Sequence, residues 1–156
     1  MELKVIKFFR ADRREYGFLS NFAKTPFEDS KEAMWNTVEH YFQAKKAVIE
    51  SEAVWIWSAQ TPSEAKWRGR MVKLREDWES IKVEVMRRAL QLKFQNPELR
   101  AKLLATGDAR LEEDSPWDTF WGVGKSGKGE NMLGRLLMEL RNELKEEDDG
   151  TADCTA

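Results

Sequence analysis

Two stretches of this chain repeat apolar residues at steps of three and four, and each commits its segment to an amphipathic helix. The first sets Trp78, Ile81, Val85, Ala89 and Leu92 on one stripe; the second does the same with Leu133, Leu136, Leu137, Leu140 and Leu144. Such stripes must be buried against other elements, so the chain is read as a packed, mostly helical domain. Helix signals punctuate the sequence between them. Thr37 is placed to cap a helix running to about Ser51. Thr61-Pro62-Ser63-Glu64 supplies a Thr cap, Pro at the first helical position and Glu three residues after the cap. Asn96-Pro97 opens a short helix that Thr106-Gly107 closes. Strand signals gather early: Leu3 to Phe9 is short, β-branched and aromatic, and Asp29-Ser30 reads as a turn between extended pieces. The predicted fold class is α+β, predominantly helical, a single domain with a small N-terminal β element.

The 156 residues fit one domain without disulfides or a structural metal. The domain is expected over residues 1–145. Residues 146–156, opened by Glu146-Glu147-Asp148-Asp149, are expected to be a disordered acidic tail. No apolar run reaches the roughly 18 residues of a membrane span. No signal-peptide pattern opens the chain, and the one Cys, Cys154, has no partner for a disulfide or zinc site. A cytoplasmic protein is expected. Lys plus Arg number 26 against 28 Asp plus Glu, so an interface built on many phosphate contacts is disfavoured and a small anionic ligand fits better.

Chemistry concentrates in two segments. In TVEHYFQAKKA at 37–47, Glu39, Gln43 and Lys46 are four and three residues apart and share one helical face, while Val38, Phe42 and Ile49 define a different, apolar face. Two long side chains about 10 Å apart along a helix can reach one small ligand from either end. A solvated polar face is the other reading. His40, the one histidine, is read as structural, and neither a metal site nor a cofactor is expected. In Ser115 to Arg135, Trp117 and Trp121 flank Asp118, and four glycines precede Asn131 and a helix start. A glycine-rich loop before a helix N-terminus suits an anion, and indole faces suit a nucleobase; a flexible surface turn is the alternative. No arrangement for Ser or Cys nucleophilic catalysis can be assembled from one His, which leaves Glu39, Asp118 and Lys46 as the chemically useful groups.

FLSNF at 18–22, TVEHYFQAKKA at 37–47, the Trp67-Arg68 region, KFQNPEL at 93–99 and the run from Asp118-Thr-Phe-Trp121-Gly122 to Asn131-Met-Leu-Gly134 occur in this order. The set closely resembles the YbiA-like, or NADAR (NAD- and ADP-ribose-associated), family over about Val5 to Leu144. The resemblance implies an N-glycosidase acting on base–ribose bonds of a nucleotide-like substrate. That substrate is either a phosphoribosylamino-pyrimidine intermediate of riboflavin synthesis or ADP-ribose attached to guanine, including guanine in nucleic acid. It implies catalytic roles for Glu39, Lys46 and Asp118, with Lys45 a competing register for the lysine. Substrate contacts are expected from Phe18, Ser20, Asn21, Gln43, Arg68, Trp121, Gly122 and Asn131. A non-catalytic module that binds ADP-ribose or NAD is the alternative.

Overall fold

The computed structural model describes residues 2–30 and 33–154, with side chains through residue 150. Its helices are α1 (Val38–Ala44), α2 (Glu50–Trp57), α3 (Pro62–Gly69), α4 (Trp78–Lys93), α5 (Pro97–Ala105) and α6 (Met132–Cys154). The strands are β1 (Val5–Phe8), β2 (Phe27–Ser30), β3 (Ala33–Trp35) and β4 (Arg110–Glu113). This is the expected α+β fold, mostly helical. No helix among the described residues is long and apolar enough to cross a membrane.

The chain divides into two compact units, Arg10–Lys93 and a second made of Met1–Phe9 with Phe94–Ala156. In the first, α1 is the central helix, packed against α2, α3 and α4. All seven of its residues are buried, so its polar face is not a solvated one. Thr37 caps α1 as expected, its Oγ1 accepting the His40 N–H. The helix ends sooner than predicted, at Ala44, because the chain turns to pair with residues 73–75. Lys46 C=O accepts the Arg75 N–H at 2.9 Å, the Lys73 C=O accepts the Val48 N–H at 3.3 Å, and Ala47 bridges Leu74. The β-branched pair Val48-Ile49, poor in helix propensity, lies where the predicted helix would have continued. Asp29 and Ser30, expected in a turn, instead lie in β2, which pairs antiparallel with β3 in the register Phe27↔Trp35.

The predicted stripe of α4 is present but rotated. Trp78, Ala89 and Leu92 are buried, Ile81 and Val85 only half so, and Met86, Leu90 and Lys93 join the buried face. Thr61 caps α3, accepting the Glu64 N–H at 3.1 Å, with Pro62 at its start.

In the second unit β1 pairs parallel with β4, a strand the sequence signals did not mark, in the register Val5↔Arg110 to Phe8↔Glu113. Asn96 caps α5, and Gly107 follows it at φ +64°, the left-handed conformation that ends helices. All five leucines expected on the buried face of α6 are buried. A Cβ on Gly134 would strike the Leu111 carbonyl, so this glycine lets α6 lie directly on β4. The acidic segment after Lys145 differs from expectation: α6 continues through it to Cys154, and Arg100 binds Glu147 and Asp148. Residues 155–156 and the Cys154 side chain lie outside the description.

Candidate functional site

Glu39 sits in the first turn of α1, 7% exposed, so its carboxyl is largely removed from water. Two contacts fix it. Its N–H donates to the Asn21 carbonyl at 3.1 Å, and its Oε1 accepts the Gln43 amide Nε2 one helical turn later at 2.7 Å. Gln43 is itself 4% exposed and pressed on α3, where a Cβ added to Gly69 would overlap Oε1 and lie 2.9 Å from Cδ. Gln43 Oε1 is buried with no hydrogen-bond partner among the described residues, and so is Asn21 Oδ1. An orphaned buried acceptor costs about 1–3 kcal/mol, so each calls for a reason, of which a role toward a bound molecule is one.

Lys46 follows α1 in the turn and is not on the helix, yet it faces the same region. Its Nζ lies 5.7 Å from the Phe42 ring centroid and 5.9 Å from that of Trp78. Burial pushes its pKa below the ordinary lysine value. The Glu39 carboxylate pulls it back up, while Arg70 and Lys66 add to the depression. Lys45 is engaged elsewhere: its Nζ is 3.7 Å from Asp29 Oδ2 and 4.9 Å from the Tyr41 ring centroid.

The segment before β2 supports this arrangement. Ser20 Oγ accepts the Phe22 N–H at 3.1 Å, and the Ser20 carbonyl accepts the Ala23 N–H at 3.1 Å and the Lys93 ammonium at 3.1 Å. Phe18 is half-buried in the turn Gly17–Leu19. His40 is structural, as expected: Nδ1 meets Thr37 Oγ1 at 2.8 Å, and Nε2 meets the Ala59 carbonyl at 2.8 Å. Arg68, expected to touch substrate, ties α2 to α3 instead. Nη1 donates to the Trp55 carbonyl at 2.5 Å and to Ser58 Oγ at 3.2 Å, Nη2 donates to Glu64 Oε1 at 2.7 Å, and the guanidinium stacks on the Trp55 ring. Arg70 and Lys66, which are exposed, are the cations whose field reaches Lys46.

Glu39, Gln43, Lys46, Ser20 and Asn21 thus fall together in one unit. Asp118, Trp121, Gly122 and Asn131 belong to the other, where the structure gives them architectural work. Asp118 Oδ1 accepts the Phe120 and Trp121 N–H groups at 3.0 and 2.7 Å, closing a turn on itself. Trp121 packs edge-on against Phe120, and Trp117 is 81% exposed beside Phe9. A Cβ on Gly122 would come within 2.8 Å of the Glu113 carbonyl. Asn131 is fully buried at φ +52°; its Oδ1 accepts the Glu113 N–H at 2.9 Å and its Nδ2 donates to the Leu111 carbonyl at 2.8 Å. The expected anion site at the start of α6 is not formed. The N–H groups of Glu130, Asn131, Met132 and Leu133 donate to the carbonyls of Thr119, Gly122, Phe120 and Trp121. Among the described residues no cluster of His, Cys, Asp and Glu could hold a metal ion.

Two residues of this region were not among the site residues named from the sequence. Lys93 continues the buried steps Met86, Leu90 on α4, and a lysine interrupting an apolar stripe is the sign that was available. Gly69 could be recognised only once α3 was seen lying on Gln43.

Comparison with known proteins fits this picture. The NADAR domain profile matches residues 7–145. The chain is 47% identical over 148 residues to the N-glycosidase YbiA of Escherichia coli (strain K12), covering 92% of this chain and 91% of that protein. It is 40% identical to the riboflavin biosynthesis protein PYRR, chloroplastic, of Zea mays, across 92% of this chain and 26% of that one. The NMR structure of E. coli YbiA superposes with a TM-score of 0.86 at 45% identity, covering 95% of this chain and 89% of that one. With the profile spanning nearly the whole chain and a relative of such identity over nine-tenths of it, the chain belongs to the NADAR domain family.

Proposed function

We propose that this chain is an N-glycosidase that separates a base amine from C1′ of a phosphorylated ribose, with Glu39 moving the proton and Lys46 as the nucleophile. The observation that carries the reading is a buried carboxyl held by Gln43 in the same unit as a lysine displaced toward its neutral form. Binding ribose and phosphate alone requires no such pair, which weighs against a non-catalytic ADP-ribose or NAD module. The name N-glycosidase carried by the bacterial relative agrees with it.

The chemistry balances with these groups. The amine nitrogen's lone pair expels the ring oxygen, which takes a proton from the Glu39 carboxyl, and C1′ becomes an imine. Lys46 Nζ adds to C1′ and passes a proton to Glu39, and the base nitrogen is reprotonated and leaves with its bonding pair. Water then adds to the remaining lysine imine and frees the amine, so substrate and water become base amine and sugar aldehyde. Arg70 and Lys66, both exposed and close enough for their charge to act on Lys46, are suited to the sugar phosphate. Asn21 Oδ1 is an acceptor for a substrate hydroxyl or amine. Asp118 and Trp121 serve the loop that carries them, and Lys45 serves Asp29 and Tyr41. The reaction belongs to a small nucleotide-like substrate in the cytoplasm.

A phosphoribosylamino-pyrimidine is the first substrate to test, in keeping with the riboflavin name of the plant relative; guanine-linked ADP-ribose is the second. Incubation with each, followed by quantitation of released base and sugar, is expected to show cleavage of one. Glu39→Gln keeps the shape and removes the acid, and should cut turnover about 100-fold or more while the substrate still binds. Cleavage of neither substrate, or full turnover by a folded Glu39→Gln, would refute the assignment.

A further inference from the structure

Lys93 ends α4 in a place where lysines are rarely found. It is 1% exposed, beside Phe94 at 1%, and on the same helical face as Met86 and Leu90. An apolar side chain of equal length would fill that volume without taking an amine out of water, so filling space does not account for a lysine here. Its placement does. Nζ donates to the Ser20 carbonyl at 3.1 Å, and the next residue, Asn21, uses its own carbonyl to accept the Glu39 N–H at 3.1 Å. Two turns earlier on α4, Met86 Sδ receives the Asn21 amide at 3.6 Å. One face of α4 therefore grips residues 20 and 21 at two points, and those residues grip the first turn of α1.

We infer that Lys93 is a positioning residue for Glu39, holding the Ser20-Asn21 backbone so that the Asn21 carbonyl fixes the turn from which the Glu39 carboxyl projects. The inference rests on the reading of Glu39 as the proton-transfer group. Burial lowers the Lys93 pKa to about 7, and the amine donates to Ser20 in either protonation state.

The test combines residue-resolved amide exchange with steady-state kinetics on a phosphoribosylamino-pyrimidine, for wild type, Lys93→Met and Lys93→Gln. Lys93→Met keeps the volume and removes the donor. It is expected to fold, to exchange the Glu39 amide about tenfold faster, and to lower kcat by about 10- to 100-fold with KM little changed. Lys93→Gln keeps an N–H donor and should recover part of both losses together. A folded Lys93→Met with wild-type exchange at Glu39 and wild-type kcat overturns the inference. If Lys93→Met does not fold, Lys93→Gln decides: exchange and kcat shifting in step, or both staying at wild-type values, supports the tie, and kcat falling while the Glu39 amide stays protected overturns it. A wild type that fails to cleave the probe removes the functional reading, whereas the exchange data still report on the tie.

Discussion

At the scale of single residues, the account turns on amines and a carboxyl held away from water. Lys46 is half-buried between Phe42 and Trp78, and Lys93 is buried outright; in both, desolvation is the leading cause of the lowered pKa. For Lys93 the consequence for stability has a definite sign. Between about pH 7 and the ordinary lysine range the unfolded chain holds a proton at this position that the folded chain has released. Stability contributed by this group therefore rises with pH through that window, at no more than about 1.4 kcal/mol per pH unit. Denaturant unfolding of wild type and Lys93→Met at pH 7, 8 and 9 should show wild type gaining on the variant as pH rises. A difference independent of pH would mean that the amine keeps its ordinary affinity for protons. Glu39 and Lys46 were legible in the sequence as residue types at a spacing. That Arg68 is committed to Trp55, Ser58 and Glu64 was not, because a guanidinium's partners come from another helix.

Elements explain why the pair survives an error in the predicted helix. The spacing argument assumed one helix from Thr37 to Ser51, but α1 stops at Ala44 and the backbone at 46–48 turns to pair with 73–75. Lys46 keeps its place because the turn after α1 still points it toward the region of Phe42 and Trp78. Periodicity found the helices and their caps, since those signals are local. It missed β4, a four-residue strand whose partner β1 lies about a hundred residues earlier, because no local pattern marks such a pairing. It also read the glycines before α6 as an anion cradle, whereas the N–H groups there are consumed by carbonyls of residues 119–122. The contact of α3 with α1 gives an element-scale prediction. Gly69→Ala forces the Gln43 amide aside, at about 1–3 kcal/mol of overpacking, and loosens its hold on Glu39. Turnover should fall by about tenfold or more in a variant that still unfolds cooperatively. Wild-type turnover in Gly69→Ala would show that Gln43 does not orient the carboxyl.

At the scale of the whole molecule, the family profile covers residues 7–145 and leaves the end of α6 outside it. Beyond Lys145 the visible ties are ion pairs from Arg100 to Glu147 and Asp148, which lie at the surface and contribute little. Truncation after Lys145 is expected to cost about 1 kcal/mol or less and to leave activity intact; a loss of several kcal/mol would show that these last turns of helix are integral to the domain. The most direct test of the central claim, that Lys46 attacks C1′, is also read on the intact chain. Borohydride added during turnover of a phosphoribosylamino-pyrimidine should reduce the lysine imine and add the mass of the sugar phosphate fragment to the protein, with the adduct mapped to Lys46. Lys46→Arg, whose guanidinium stays protonated, should show neither adduct nor more than residual turnover. An adduct on Lys45, or a fully active Lys46→Arg alongside a wild type that traps nothing, would contradict it.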